Sequence, residues 1–122
     1  MDYITAKTIA QEWCEAWNSK DLNRILKHYA DDIVLYSPYA LMRLGEGTKG
    51  KVQGKDLLEK YFSLGLQSAP QLNFQFVDVL VGIDEITILY RRETGILVAD
   101  VMSFNSKNEA KTVRAFYAQT II

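Results

Sequence analysis

From Leu72 to Ile122 the chain divides into four apolar-rich stretches separated by turn residues. No other feature constrains the fold as strongly. The stretches are Leu72–Val81, Glu85–Arg92, Ile96–Asn105 and Ala110–Ile122, with Gly82-Ile83-Asp84, Thr94-Gly95 and Asn105–Asn108 between them. Connections this short join neighbouring strands as hairpins, so an antiparallel sheet is expected. Ahead of Leu72 the period changes. Ala6, Ile9, Ala10, Trp13, Cys14 and Trp17 recur every three or four residues, as on the buried stripe of an amphipathic helix. Asn18-Ser19-Lys20 interrupts that stripe, and Ser19 or Asp21 can cap a second helix with Leu22, Ile25, Leu26 and Tyr29 on one face. Asp31-Asp32 ends it, and Ile33–Tyr36 reads as a short strand running into Ser37-Pro38.

The stretch from Tyr39 to Gln53 contains Gly45, Gly47 and Gly50 and follows neither period, so a long, mobile surface loop is expected there. A third helix begins near Gly54, buries Leu57, Leu58, Tyr61, Phe62 and Leu66, and cannot pass Pro70. Helices followed by consecutive hairpin strands give an α+β fold, with three helices on one face of a mainly antiparallel sheet. The 122 residues, 48% of them hydrophobic, suit one domain spanning 1–122. Both faces of the strands are apolar: Phe74, Phe76 and Leu80 alternate with Val77, Val79 and Val81. One layer of helices covers one face, so a homodimer through the outer face is expected.

Composition removes several classes of function. Fourteen basic residues against fifteen acidic ones give a net charge of −1, and there is no Lys/Arg run, so the electrostatic footprint of a nucleic-acid binder is missing. No apolar run approaches the roughly 20 residues that span a bilayer. Met1-Asp2-Tyr3-Ile4-Thr5 lacks the basic start and apolar stretch of a signal peptide, which points to the cytoplasm. The one cysteine, Cys14, and the one histidine, His28, supply neither a disulfide nor a zinc site. Cys14 falls on the buried stripe as a small core residue, and His28 falls off the apolar face of its helix as a solvated side chain.

Gly45-Glu46-Gly47-Thr48-Lys49-Gly50 matches the dinucleotide fingerprint letter for letter. That fingerprint works only where a strand runs directly into a helix whose N-terminus faces the pyrophosphate. Here a poor strand precedes it and the next helix waits until Gly54, so no nucleotide cofactor is expected. The same segment mimics a phosphate-binding loop, but Val52 stands where a metal-binding Ser or Thr belongs. Asp100 is a stronger candidate. It shares a strand face with Ile96, Val98, Met102 and Phe104, and a carboxylate in an apolar row is costly unless hydrogen-bonded or kept protonated. It is either a satisfied core residue or a carboxyl group on the floor of an apolar cavity.

The order of helices and strands, Tyr29-Ala30-Asp31-Asp32 ahead of the first strand, the helix start at Gly54 and the run Asp100-Val101-Met102-Ser103-Phe104 together resemble the nuclear transport factor 2-like superfamily. Ketosteroid isomerases and SnoaL-like polyketide cyclases are the most similar groups within it. The resemblance implies a curved sheet wrapped around a long helix, forming a cone with an apolar pocket. It places Asp100 where the isomerases keep a protonated oxyanion-hole Asp, and Trp13 where they keep a Tyr donor. Ser37, before Pro38, takes the place of their general-base Asp. A serine without a neighbouring base cannot shuttle a proton near neutral pH, so steroid isomerisation is disfavoured. The resemblance also puts Trp17, Tyr61, Phe62, Met102, Phe104 and Tyr117 on the pocket wall, with Tyr90 facing inward. The expected function is binding of a hydrophobic or aromatic small molecule. Any catalysis would be an acid/base isomerisation, cyclisation or dehydration using Asp100. The alternative is a non-catalytic binding or dimerisation module with a vestigial pocket.

Overall fold

The computed structural model describes all 122 residues. Helix α1 covers Tyr3–Ser19; Asp2 caps it by accepting the Thr5 N–H at 2.7 Å, and Lys20, in the left-handed region, ends it. Its buried face carries alanines at the amino end (Ala6, Ala10) and large rings at the carboxyl end (Trp13, Trp17). Asp21 caps the short helix α2, Leu22–Leu26, through the N–H groups of Asn23 and Arg24. Strand β1 is Tyr29–Tyr36, helix α3 is Pro38–Leu44, a 3-10 turn spans Glu46–Thr48 and strand β2 is Lys51–Gln53. Helix α4 (Lys55–Ser68) ends before Pro70, and β3 (Gln75–Val81), β4 (Glu85–Arg91), β5 (Leu97–Phe104) and β6 (Ala110–Tyr117) follow as hairpins.

The six strands form one mixed sheet in the order β2-β1-β6-β5-β4-β3, and only the β1–β6 pair is parallel. α1 packs along β3 and α4 along β1, so the helices lie on the concave side of a curved, open sheet. The α+β class and the mainly antiparallel sheet agree with the sequence. No helix is long and apolar enough to cross a membrane.

Three local expectations are corrected. First, Tyr29 opens β1 instead of closing α2, because α2 ends at Leu26 and Tyr29 pairs with Ala110. Second, Tyr39 to Gln53 is not an irregular loop but α3, the 3-10 turn and β2, which makes four α-helices in place of three. Ser37 caps α3 by accepting the Tyr39 N–H, and Pro38 takes the first helical position, where its missing N–H costs nothing. The segment is tied back by Ser37 N–H donating to Gly50 C=O at 2.9 Å. Gly50 has φ +78°, and a Cβ there would lie 3.2 Å from the Ser37 carbonyl oxygen, so the close crossing requires glycine.

Third, a bulge between Phe76 and Asp78 reverses the side-chain alternation of β3. Val79 is consequently buried while Leu80 is 55% exposed. The register shift between Ser103 and Phe104 places its extra residue, Lys111, on β6 and leaves the alternation of β5 intact. Phe104 packs half-buried against the core, but beside Met1, Asp2 and Thr5, at the other end of α1 from Trp17.

Candidate functional site

β5 alternates without interruption from Leu97 to Ser103, which turns Val98, Asp100 and Met102 inward. The large rings of α1 reach the same level, and α4 adds Tyr61 and Phe62 from the side. Between them lies a cavity of about 550 Å³, counting its open mouth. Trp13, Trp17, Ser37, Tyr61, Phe62, Tyr90, Asp100 and Tyr117 all line it, so the structure brings these expected site residues together. Met102 and Phe104 do not line it. Met102 is buried in the packed core beyond the cavity floor, and Phe104 packs farther along the same row.

The walls are mostly aromatic. Phe74 stacks against Tyr90 at 4.4 Å and Trp17 at 5.2 Å between ring centroids, and Trp13 meets Tyr90 edge-on at 5.2 Å. Phe62 meets Trp17 and Tyr29 edge-on at 4.7 and 5.2 Å. Such pairs fix ring orientations beyond what area burial does. The polar groups among them are few. Tyr90 Oη–H donates to Asp100 Oδ1 at 3.1 Å, and Trp13 Nε1–H donates to Tyr29 Oη at 2.9 Å. Tyr61 Oη–H donates to Ser37 Oγ at 3.1 Å.

Asp100 is 6% exposed, and its other carboxyl oxygen has no partner within the chain. Burial pushes its pKa up to about 7, against the smaller opposing pulls of the Tyr90 hydroxyl and the Arg92 charge. Near neutral pH the neutral acid is therefore a major form, with a proton to donate. The buried phenols of Tyr29, Tyr90 and Tyr117 are all held well above the usual tyrosine range, first by desolvation and second by the Asp100 charge. They act as hydrogen-bonding groups and not as bases.

Ser37 is 4% exposed and its oxygen is already in use, accepting from Tyr39 N–H and Tyr61 Oη–H. Trp17 Nε1–H is the one fully buried polar side-chain atom without a hydrogen-bond partner. It leans toward the Tyr29 hydroxyl without reaching hydrogen-bonding geometry.

Eight wall residues were not among the expected site residues, and three of them carry polar side chains. Tyr29 was hidden by its helical spacing from Leu22, Ile25 and Leu26. Arg43 enters from α3, where a loop was expected, and Arg92 stands just past the end of β4. For Arg43 the Ser37-Pro38 helix start was the available signal. The two remaining candidates lie elsewhere. Cys14 is buried, with its thiol raised to about 12 by burial, and is inert core. His28 is not simply solvated: Nε2 is 2.8 Å from Glu12, in a cluster with Arg24 away from the cavity. No group of three His, Cys, Asp or Glu side chains is placed to hold a metal ion. Gly45–Gly50 follows a helix and precedes a strand, which is not the strand-to-helix setting a pyrophosphate needs.

A curved sheet closed on one side by helices, with a single aromatic cavity at one end, defines the class. It is the cystatin-like fold of the nuclear transport factor 2-like superfamily. A protein of unknown function with this fold from Methylobium petroleophilum aligns with 100% of this chain and 81% of its own, at 12% identity and a TM-score of 0.75. The sequence profile of the SnoaL-like domain matches residues 10–120, and the chain belongs to that family. A SnoaL-like protein of unknown function from Burkholderia thailandensis is 32% identical, covering 98% of this chain and 99% of that one, with a TM-score of 0.90. A candidate polyketide cyclase from Sinorhizobium meliloti shares the fold at 10% identity, covering 95% of this chain and 100% of its own, with a TM-score of 0.74. No curated protein sequence matches the chain.

Proposed function

We propose that this chain binds a small, flat, largely apolar molecule, with one of its oxygens directed at Asp100. The observation that carries the reading is the Asp100 carboxyl itself. One oxygen is held by Tyr90, the other has no partner, and the group sits in an aromatic cavity that favours its neutral form. A protonated carboxyl in such a place donates a strong hydrogen bond to a ligand carbonyl and polarises it. The chemistry in keeping with this is an acid/base isomerisation, cyclisation or dehydration. The fold similarity to a candidate polyketide cyclase supports that class.

A second reading is favoured by Ser37. Its oxygen caps α3 and accepts from Tyr61, so the place of the isomerases' general base holds a structural hydroxyl. On this reading the cavity binds without turnover.

Asp100→Asn separates the two. The amide keeps the shape and the Tyr90 contact and loses only the titratable proton. Titration calorimetry with a panel of aromatic ketones and their enol forms, on wild type and Asp100→Asn, is the test. Equal binding with turnover lost supports the catalytic reading, and equal binding with no turnover in either supports the binding module. Absence of binding by every member contradicts both.

We also propose that the outer sheet face pairs with a second copy of the chain. Leu80, Leu89, Ala99, Val101 and Phe116 lie on the face that no helix covers, and Phe116 is 57% exposed. A self-complementary two-fold contact is the commonest way to cover such a face. Light scattering should return twice the chain mass at micromolar concentration; the monomer mass would contradict the pairing.

A further inference from the structure

Arg43 projects from α3 into the cavity mouth, with its guanidinium carbon 4.8 Å from the Tyr39 ring centre and 5.6 Å from that of Tyr61. No carboxylate lies within salt-bridge distance of it, and its one hydrogen bond is a long 3.3 Å contact to Ser68 Oγ. Arg92, across the mouth, is already forked onto Glu93 at 2.9 and 3.1 Å. Arg43 is therefore a half-buried cation whose donor fork is largely unused, and a guanidinium fork matches a carboxylate.

The helix opposite makes room for it. A Cβ on Gly65 in α4 would lie 3.2 Å from Arg43 Nη1. Glycine inside a helix is unfavourable relative to alanine, and here it leaves the space the guanidinium fills. Outside the mouth is a wider recess that shares Arg43, Arg92 and Tyr117 with the cavity, so one ligand can occupy both. Glu93, the one acid on that recess, is neutralised by Arg92. At the inner end, Trp17 is 7% exposed, lines the cavity and has an indole N–H without an acceptor. A buried donor in that condition gains by meeting a ligand oxygen.

We propose that the site takes an aromatic carboxylate, with its acid group forked onto Arg43 at the mouth and a ring hydroxyl or carbonyl oxygen meeting the Trp17 N–H inside. The proposal rests on the ligand-binding reading above and adds the charge and orientation of the ligand. The carboxylate faces outward, away from the Asp100 acid, and the ring lies among Phe62, Phe74 and Tyr90.

Titration calorimetry with para-coumarate and its primary amide at mildly acidic pH, where the probe's carboxyl is ionised and Asp100 is mostly neutral, tests it. The two probes have the same ring and shape and differ in charge. On wild type the acid should bind about tenfold or more tighter than the amide, as expected for a charge-assisted fork. Arg43→Gln should bring the acid down to the amide's affinity and leave the amide unchanged, which also shows that the variant is folded. Arg43→Lys, keeping charge without the fork, should fall between. Equal affinity of acid and amide on wild type, or an equal loss of both in Arg43→Gln, would overturn the carboxylate site while leaving the ligand-binding reading intact. Binding of neither probe at millimolar concentration would count against both.

Discussion

The inner wall and the mouth of the cavity are built in opposite ways. Inside, β1, β4, β5 and α1 bring Tyr29, Tyr90, Asp100 and Trp13 together, and each of these side chains has a hydrogen-bond partner in the chain. At the mouth, Arg43 comes from a seven-residue helix and its strongest contacts are with ring faces. Regular strands fix the inner groups in place, so that wall sets which chemistry is available. The mouth rests on a short helix pinned by Ser37 and Gly50, and it sets which ligand is admitted. Rigid elements carry the acid, and a short added segment carries the selectivity.

This contrast ranks the outcomes of substitution. Trp13→Ala removes one of the largest fully buried side chains and the donor to Tyr29. It should cost about 3–5 kcal/mol in urea unfolding; Arg43→Ala should cost less than about 1 kcal/mol. Comparable losses would mean that the mouth is as structural as the wall.

The next effect depends on pH. Asp100 holds its proton in the folded chain up to about pH 7, whereas the unfolded chain releases it near the ordinary Asp value. The neutral acid therefore contributes stability that is fully present below about pH 4 and is lost as pH rises through about 7. Relative to Asp100→Asn, wild type should lose on the order of 1 kcal/mol per pH unit across that window. A pH-independent difference between the two would contradict this.

Ser37→Ala removes the cap of α3 and the acceptor for Tyr61, and should cost about 1–2 kcal/mol in the same unfolding assay. A smaller loss would show that Gly50 and Pro38 hold the mouth without the cap. The smallest effect belongs to the outer face. Phe116→Lys should change monomer stability by less than about 0.5 kcal/mol while shifting the light-scattering mass to that of one chain. An unchanged oligomer would place the contact elsewhere.

The same division governs what could be read from the sequence. The inner wall was legible because α1 keeps one helical period from Ala6 to Trp17 and β5 keeps strict alternation from Val98 to Met102. Those two rules suffice to set Trp13, Trp17 and Asp100 facing the interior. They fail where the backbone breaks period. The bulge at Phe76 reverses the alternation of β3, and no local spacing encodes it. Tyr29 sits at a helical interval from Leu22, Ile25 and Leu26, yet its pairing with Ala110 on a strand far along the chain decides its place. Gly45, Gly47 and Gly50 suggested an irregular loop across a segment in which Tyr39 to Leu44 are serviceable helix formers behind a Ser-Pro start. Missing α3 meant missing Arg43, and with it the charge at the mouth.

The central claim is that Asp100 is a neutral acid facing the cavity. The direct measurement is a carbon NMR titration of its carboxyl group, assigned by comparison with Asp100→Asn. The account predicts a midpoint near pH 7, well above the ordinary Asp value. A midpoint at or below about 3.9, the unperturbed value, would show that Asp100 is an ordinary ionised carboxylate, and the acid chemistry proposed for the cavity would be wrong.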